Sequence, residues 1–439
     1  MKSTETTSTE GLLRGIRRWD LVAVTINGII GAGIFGLPSK VYLLIGGYSL
    51  IAFVVCALVV MLIILCFAEV GSRFKETGGP YLYAREAFGP TVAFEVGWLI
   101  WLARLTAFAA NCNLMINYLS FFWAPANTGI IRAVIIVGVV IALTALNVLG
   151  VRQAAIASNI FTIGKLLPML IFIGVGIFFL DSHAFTLGAR PATGPFSQSV
   201  LLLLYAFTGF EMAVIPAGEI KNPQKDLPRA LLIAMAVIAT TYILIQIVCV
   251  GTLPDLAKST KPLADAAQRF MGTAGAAIIS AGAIISVAGN LNITVLSASR
   301  VPFAIAEQKQ LPPVFARVHP RFFTPHISII VTTALMLILT LKSSFVAALT
   351  VSTIARLVAY AVTCAALPVL RRRSDAPPAH FKLRGGPVIA IAALLLAVWL
   401  LMNSTLYEAV VSVIAAAVGF ALYLTYRVVI KNKTETTDE

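Results

Sequence analysis

Asn27-Gly28-Ile29-Ile30-Gly31-Ala32-Gly33-Ile34-Phe35-Gly36-Leu37-Pro38 is the stretch whose reading decides the fold. Four glycines within nine residues, followed by a proline, predict that a helix entering this stretch stops and restarts. A second interruption lies far downstream, at Leu204-Tyr205-Ala206-Phe207-Thr208-Gly209-Phe210-Glu211, followed by Pro216-Ala217-Gly218. It places a glycine beside a carboxylate halfway across an apolar run. Irregular backbone at membrane depth is tolerated only where protein or a watery cavity satisfies its polar groups.

The surrounding composition supplies the membrane. Of 439 residues, 59% are hydrophobic and only 12% charged, and the mean hydropathy is +0.91. A soluble chain carries about a quarter charged residues to cover its surface. Twelve apolar segments follow one another, near 19–45, 48–70, 92–122, 129–148, 155–180, 195–218, 230–253, 272–299, 325–341, 345–370, 386–404 and 407–430. Each is long enough for a hydrocarbon core of about 30 Å. A polytopic, all-α membrane protein is therefore expected; soluble enzyme, secreted disulfide scaffold and nucleic-acid binder are excluded. With the N-terminus inside, 23 Lys and Arg fall on the cytoplasmic side, 7 outside and 3 within segments. That asymmetry predicts cytoplasmic N- and C-termini in a plasma (inner) membrane. It also explains the net charge of +14 without nucleic acid, with Arg371-Arg372-Arg373 setting topology. Residues 1–18 and 431–439 read as short cytoplasmic tails, the first too polar for a cleaved signal.

Familiar chemistries find no support. Cys56, Cys66, Cys112, Cys249 and Cys364 lie inside apolar segments with no CxxC spacing and read as small hydrophobes. The four histidines form no ligand cluster, and no GxGxxG, Walker, HExxH or GxSxG sequence occurs. No metal or organic cofactor is expected, and no partner subunit is evident. What remains is the placing of the two breaks. One opens the first five segments and the other the next five, the pattern that points to an inverted-repeat transporter. Half-helix N-termini then present free N–H groups and a positive dipole end to an anion such as a carboxylate. Close helix packing by GxxxG-like glycines is the simpler reading of either break alone.

Five pieces of the chain, taken in order, resemble the amino acid–polyamine–organocation family of amino acid permeases. They are Ile30-Gly31-Ala32-Gly33-Ile34-Phe35; Ala68-Glu69-Val70 through Gly78-Gly79-Pro80-Tyr81-Leu82-Tyr83 to Phe88-Gly89-Pro90; Phe207-Thr208-Gly209-Phe210-Glu211; Glu219-Ile220-Lys221-Asn222-Pro223 with Pro228-Arg229-Ala230; and Ser299-Arg300, Leu311-Pro312 and Pro320 to Pro325. The resemblance implies a leucine-transporter-type fold of 12 helices. Segments in 19–180 and 195–370 would form the two five-helix repeats, and 386–430 the last two helices. It further implies a substrate held between the broken first and sixth helices, with the third, eighth and tenth lining the site. Ile30, Gly31, Ala32 and Gly33 would offer backbone groups to a carboxylate, and Phe207, Thr208 and Gly209 carbonyls to an α-amino group. Phe207 falls where the family places an aromatic gate.

Four ionisable residues lie far from any interface: Arg104, Lys165, Glu211 and Arg356. Each costs at least about 2.5–3.5 kcal/mol on insertion scales, so each is expected to face a cavity or a partner. Snorkelling does not rescue them. Arg104 stands 12 residues into its segment, a rise of about 18 Å, and Lys165 and Arg356 lie about 15 Å or more deep. Lys165, three residues before Pro168, resembles a lysine that some proton-coupled family members carry where sodium-coupled relatives bind a cation. It can release and regain a proton in a water-poor site, or act as a fixed cation tying helices together. Glu211 is expected either to gate or sense protons or to serve as counter-ion to Arg104. Arg104 is expected at the substrate, where many relatives have a small or neutral residue. Three interior cations against one anion disfavour dibasic substrates and favour neutral or acidic amino acids.

Asn111 and Asn113, like Asn290 and Asn292, are expected to bond between helices, or one of each pair to line the site. Glu69, Glu219, Lys221 and Arg229 read as an inner salt-bridge network that opens and closes the cytoplasmic side, or as a plain solvated loop. The function expected is secondary active transport of L-amino acids by proton symport, with amino acid exchange as the alternative. An ion channel lacks a filter sequence, and an intramembrane enzyme lacks a nucleophile–base pair. An amino acid sensor on the same fold is disfavoured by the short tails.

Overall fold

The computed structural model describes residues 16–76, 78–149, 165–215, 217–322, 324–404 and 406–435. Apart from one two-residue bridge between Ile16 and Ile220, these residues form helices and their connections.

The first apolar segment is two helices, α1 (Arg18–Ile29) and α2 (Ala32–Ile45). Between them Ile30 is extended (φ −70°, ψ 97°) and Gly31 lies at φ −126°, ψ −147°. A 3-10 turn beginning at Gly46, at φ 55°, leads to α3 (Ser49–Gly71). A short α4 (Pro80–Phe88) precedes α5 (Pro90–Leu119) and α6 (Gly129–Leu149). The fifth segment is described from Lys165 onward, as α7 (Lys165–Phe179). The second break separates α8 (Thr193–Phe207) from α9 (Glu211–Val214). Then come α10 (Pro223–Thr252), α11 (Pro262–Glu307), α12 (His326–Lys342), α13 (Phe345–Arg372), α14 (Gly386–Met402) and α15 (Leu406–Glu435). Proline at the first position starts α4, α5, α10 and α11, where its missing N–H costs nothing.

Three boundaries differ from the sequence reading, α10 beginning at Pro223 rather than near 230. The eighth segment, expected over 272–299, is the inner part of a 46-residue helix kinked at Gly272, whose φ of 65° suits glycine. The last helix continues to Glu435, into the stretch expected to be tail.

By length and composition, eight helical stretches among the described residues are long and apolar enough to cross a membrane, and three shorter apolar helices accompany them. One of the eight, Ala32–Gly71, contains both α2 and α3. Apolar side chains such as Leu43, Leu58, Ile141, Leu170, Leu395 and Val413 point outward, as they must where lipid replaces water. The helices pack in two groups. In one, α2 lies against α8, and α10 against α1 and α3. In the other, α5 lies against α11 and α12, and α6 against α12. Helix α13 packs on α5 and also reaches α3 and α8, closing the space between the groups.

Candidate functional site

A small cavity lies where the two breaks meet between the groups. Gly28, Ile29, Gly31 and Gly33 form one wall; Tyr205, Thr208, Gly209 and Met212 form another. Ala107 and Asn111 of α5, Asn290 and Thr294 of α11, and Arg356 of α13 complete it.

The breaks approach closely because glycine permits it. A Cβ on Gly33 would stand 2.6 Å from the Ala206 Cα, so α2 packs backbone to backbone on α8. Gly209 has φ +116°, and a Cβ there would collide with the Gly28 carbonyl. Four donors at a helix start and four acceptors at its end lack intrahelical partners. The first turn of α2 and the last turn of α8 therefore bring orphan N–H and C=O groups to one small space. Such a space can hold an anionic and a cationic group side by side.

Side chains organise the donor end. Asn111 Oδ1 accepts from the Ala32 N–H (3.2 Å) and from the Tyr205 hydroxyl (2.9 Å). Asn111 Nδ2 donates to Asn290 Oδ1 at 2.7 Å. Asn111 and Asn290 are thus the cavity members of their pairs. Asn113 instead bonds the Ser343 carbonyl (3.0 Å) and accepts from Arg132, while Asn292 accepts from Asn147 (3.1 Å).

Lys165 is fully buried and bound to the end of α1. Its Nζ donates to the carbonyls of Asn27 and Ile30, both at 3.2 Å, and to Asn27 Oδ1. The ammonium thus caps the negative end of the helix dipole. Pro168, one turn on, packs into the notch left by Gly282 of α11, which fixes α7.

Glu211 is fastened by three partners. Its Oε2 accepts from the Tyr360 hydroxyl (2.6 Å) and the Gly209 N–H (2.9 Å), and Oε1 stands 3.4 Å from Arg356 Nε. Arg356 also donates to the Thr208 hydroxyl. The ionic partner of Glu211 is therefore Arg356, not Arg104, which one of the two sequence readings of Glu211 named as its counter-ion. Arg104 donates to Ser297 Oγ (2.7 Å) and to Met212 Sδ (3.1 Å).

Of the expected substrate residues, Gly31, Gly33, Thr208 and Gly209 line the cavity. Ala32 and Ile30 are not in the lining: the Ala32 amide is taken by Asn111, and the Ile30 carbonyl by Lys165. Phe207 is not in the lining; it is buried against Tyr242 of α10, ring centroids 5.1 Å apart. Arg104 stands behind the lining, one turn from Ala107. Tyr205 and Tyr360 have no role in the sequence reading; for Tyr205 the available signal is a phenol beside a break, whereas Tyr360 is brought to Glu211 only by the fold.

The expected inner network is differently composed. Glu69, fully buried, accepts from Arg371 at both oxygens (2.6 Å each) and from the Leu383 N–H (2.8 Å), with Arg73 at 3.8 Å. Lys221 and Arg229 are exposed and carry no ion pair among the described residues, and Arg18 pairs with Asp226 (2.8 Å). The Glu219 side chain lies outside the described residues. Beyond α13, Arg373 hydrogen-bonds the Asp375 carboxyl and holds it below the ordinary aspartate range. Among the described residues no group of three metal-ligating side chains occurs, and all five cysteines are free and buried.

Comparison with known proteins places this architecture. A family model described as amino acid permease matches residues 16–430. The chain is similar to the serine/threonine exchanger SteT of Bacillus subtilis, 30% identical over 88% of this chain and 90% of that one. It is 26% identical to the branched-chain amino acid permease BcaP of the same organism, over 96% and 94% of the two chains. A methylthioribose transporter of B. subtilis is 27% identical over 95% and 94%.

Proposed function

Since the chain belongs to the amino acid permease family, we propose that it is a secondary active transporter of L-amino acids working by alternating access. The observation that carries this is the cavity formed where orphan donors of α2 and orphan acceptors of α8 meet. A zwitterion supplies both charges such a space can hold: its carboxylate near the Gly31 and Gly33 amides, its ammonium near the Thr208 and Gly209 backbone. We read the apolar helices as twelve spans in a five-plus-five inverted repeat with two further helices, and both termini as cytoplasmic. The charge asymmetry supports the orientation. The three buried cations favour neutral or acidic substrates.

Coupling is assigned to the proton, through Lys165. Its ammonium sits on the end of α1, with neutral oxygens as its partners. Deprotonation would release α1 from α7, which links a proton to the movement of the broken helix. A second reading is exchange with Lys165 as a fixed cation, favoured by the likeness to a serine/threonine exchanger.

The test is uptake of a panel of radiolabelled L-amino acids into proteoliposomes, with and without an inward proton gradient, for wild type and Lys165→Ala. Accumulation driven by the gradient and abolished by the substitution, with exchange retained, supports symport. Transport that ignores pH and requires internal amino acid assigns exchange instead. Absence of any amino acid transport by wild type sinks the proposal.

A further inference from the structure

The charges beside the cavity do not balance. Arg104 is fully buried, and after its bonds to Ser297 and Met212 its Nε and Nη2 have no partner among the described residues. A guanidinium has five N–H donors and no acceptor, and a buried cation without a counter-ion is costly wherever it is kept. The nearby carboxylate is already engaged: Glu211 Oε2 takes Tyr360 and Gly209, and Oε1 faces Arg356. Two guanidiniums thus share one carboxylate, and Glu211 Oε1 and Arg356 Nε make no hydrogen bond of their own.

The unpaired guanidinium is placed to meet a ligand. Arg104 is one turn from Ala107 and two from Asn111 on α5, and both of these line the cavity. Of its two partners, Met212 lines the cavity, and Ser297 is one turn from Thr294, which also does. The Met212 thioether is a flexible, weakly accepting group between the guanidinium and the cavity. From the asparagine to the arginine the helix rises about 10 Å. An arginine side chain and a four- or five-carbon dicarboxylate together span that distance.

We infer that the transported amino acid has an acidic side chain, the aspartate–glutamate class, and that Arg104 is the residue that receives its side-chain carboxylate. The inference rests on the proposed function, since it presumes that an L-amino acid occupies this cavity with its α-carboxylate at α2. Met212 and Ser297 both occupy Nη1, so among the described residues the Nε and Nη2 edge stays free as the fork that matches a carboxylate with two parallel hydrogen bonds. A serine, leucine or glutamine side chain would leave that cation unmatched. A lysine or arginine substrate would meet like charge.

The experiment compares glutamate with glutamine and aspartate with asparagine, which differ only in charge and donor pattern. Binding to purified, detergent-solubilised full chain is measured by competition, alongside uptake of all the proteinogenic amino acids in proteoliposomes. Expected are a preference of roughly tenfold or more for each acid over its amide in wild type, and its collapse in Arg104→Met. Arg104→Lys should retain part of it. The wild-type ratio decides without any variant, so misfolding of Arg104→Met cannot rescue the idea. Equal or better handling of amides or aliphatic amino acids overturns this inference and leaves the proposed function standing. Failure of every L-amino acid to bind or move overturns both. A preference for the acids that persists unchanged in folded Arg104→Met removes Arg104 from the assignment.

Discussion

At the residue scale, the interior charges differ in how they are paid for, and that sets what their removal does. Glu211 and Arg356 are ionic partners at 3.4 Å, both nearly excluded from solvent. Glu211→Gln leaves Arg356 without a counter-ion, a loss of about 3–5 kcal/mol. Tyr360→Phe removes one hydrogen bond to the same carboxylate (2.6 Å), worth about 1.5–3 kcal/mol. Thermal denaturation of the purified protein should therefore rank wild type above Tyr360→Phe above Glu211→Gln; the reverse order would show that the pair is hydrated and does not stabilise the fold. Lys165 behaves otherwise because its partners are neutral oxygens. In Lys165→Met the desolvation of an ion, several kcal/mol, is removed. Against this stand the orphaned acceptors, about 1–3 kcal/mol. The variant should keep its melting temperature within about 5 °C while losing gradient-driven uptake. A collapse of melting temperature would make Lys165 primarily a structural clamp.

At the element scale, the site depends on how closely α2 and α8 approach. Gly33→Ala places a methyl 2.6 Å from the Ala206 Cα, so the broken helices must part. Overpacking of this kind costs about 1–3 kcal/mol, and transport should fall at least tenfold. Gly138, inside α6, has nothing within 4 Å of a Cβ. Gly138→Ala should leave transport unchanged and raise stability by up to about 1 kcal/mol. Measured side by side, the two variants separate a packing requirement from plain helix propensity. These glycines also show what was legible in advance. Clustered Gly and Pro announce a break from composition alone, and Lys165 is conspicuous as a lone charge in an apolar run. Asn111 and Asn113 cannot share a helix face, but which of them faces the cavity depends on the rotation of α5, which no local spacing records. For the same reason spacing does not say that the Phe207 ring packs on Tyr242 rather than in the cavity lining. The Glu211–Arg356 pair joins positions far apart in sequence, where spacing is silent.

At the scale of the whole molecule, if access to the cavity alternates as proposed, the ties at the two ends of the helix groups are what must break and reform. At the end where α1 begins, the buried Glu69 carboxylate of α3 holds Arg371 at the end of α13 and the Leu383 amide beyond it. At the other end, the Tyr118 hydroxyl of α5 donates to the Phe35 carbonyl of α2 at 2.7 Å. The first tie is a bidentate, charge-assisted pair whose rupture costs up to about 3–5 kcal/mol. The second is one neutral hydrogen bond, about 0.5–1.5 kcal/mol. Because each 1.4 kcal/mol shifts a two-state population about tenfold, Glu69→Gln should strongly favour opening at the α1 end. Tyr118→Phe should weakly favour opening at the opposite end. A single cysteine at Thr208, which lines the cavity, reports the difference once the five buried native cysteines are replaced. Labelled from each side of oriented vesicles, it should react faster from the α1 side in Glu69→Gln. In Tyr118→Phe the rate should rise by a smaller factor from the other side. If both substitutions change labelling equally from the two sides, the ties serve the fold alone. Movement between two access states would then have to be set by the broken helices and Lys165, at the centre of the molecule rather than its ends.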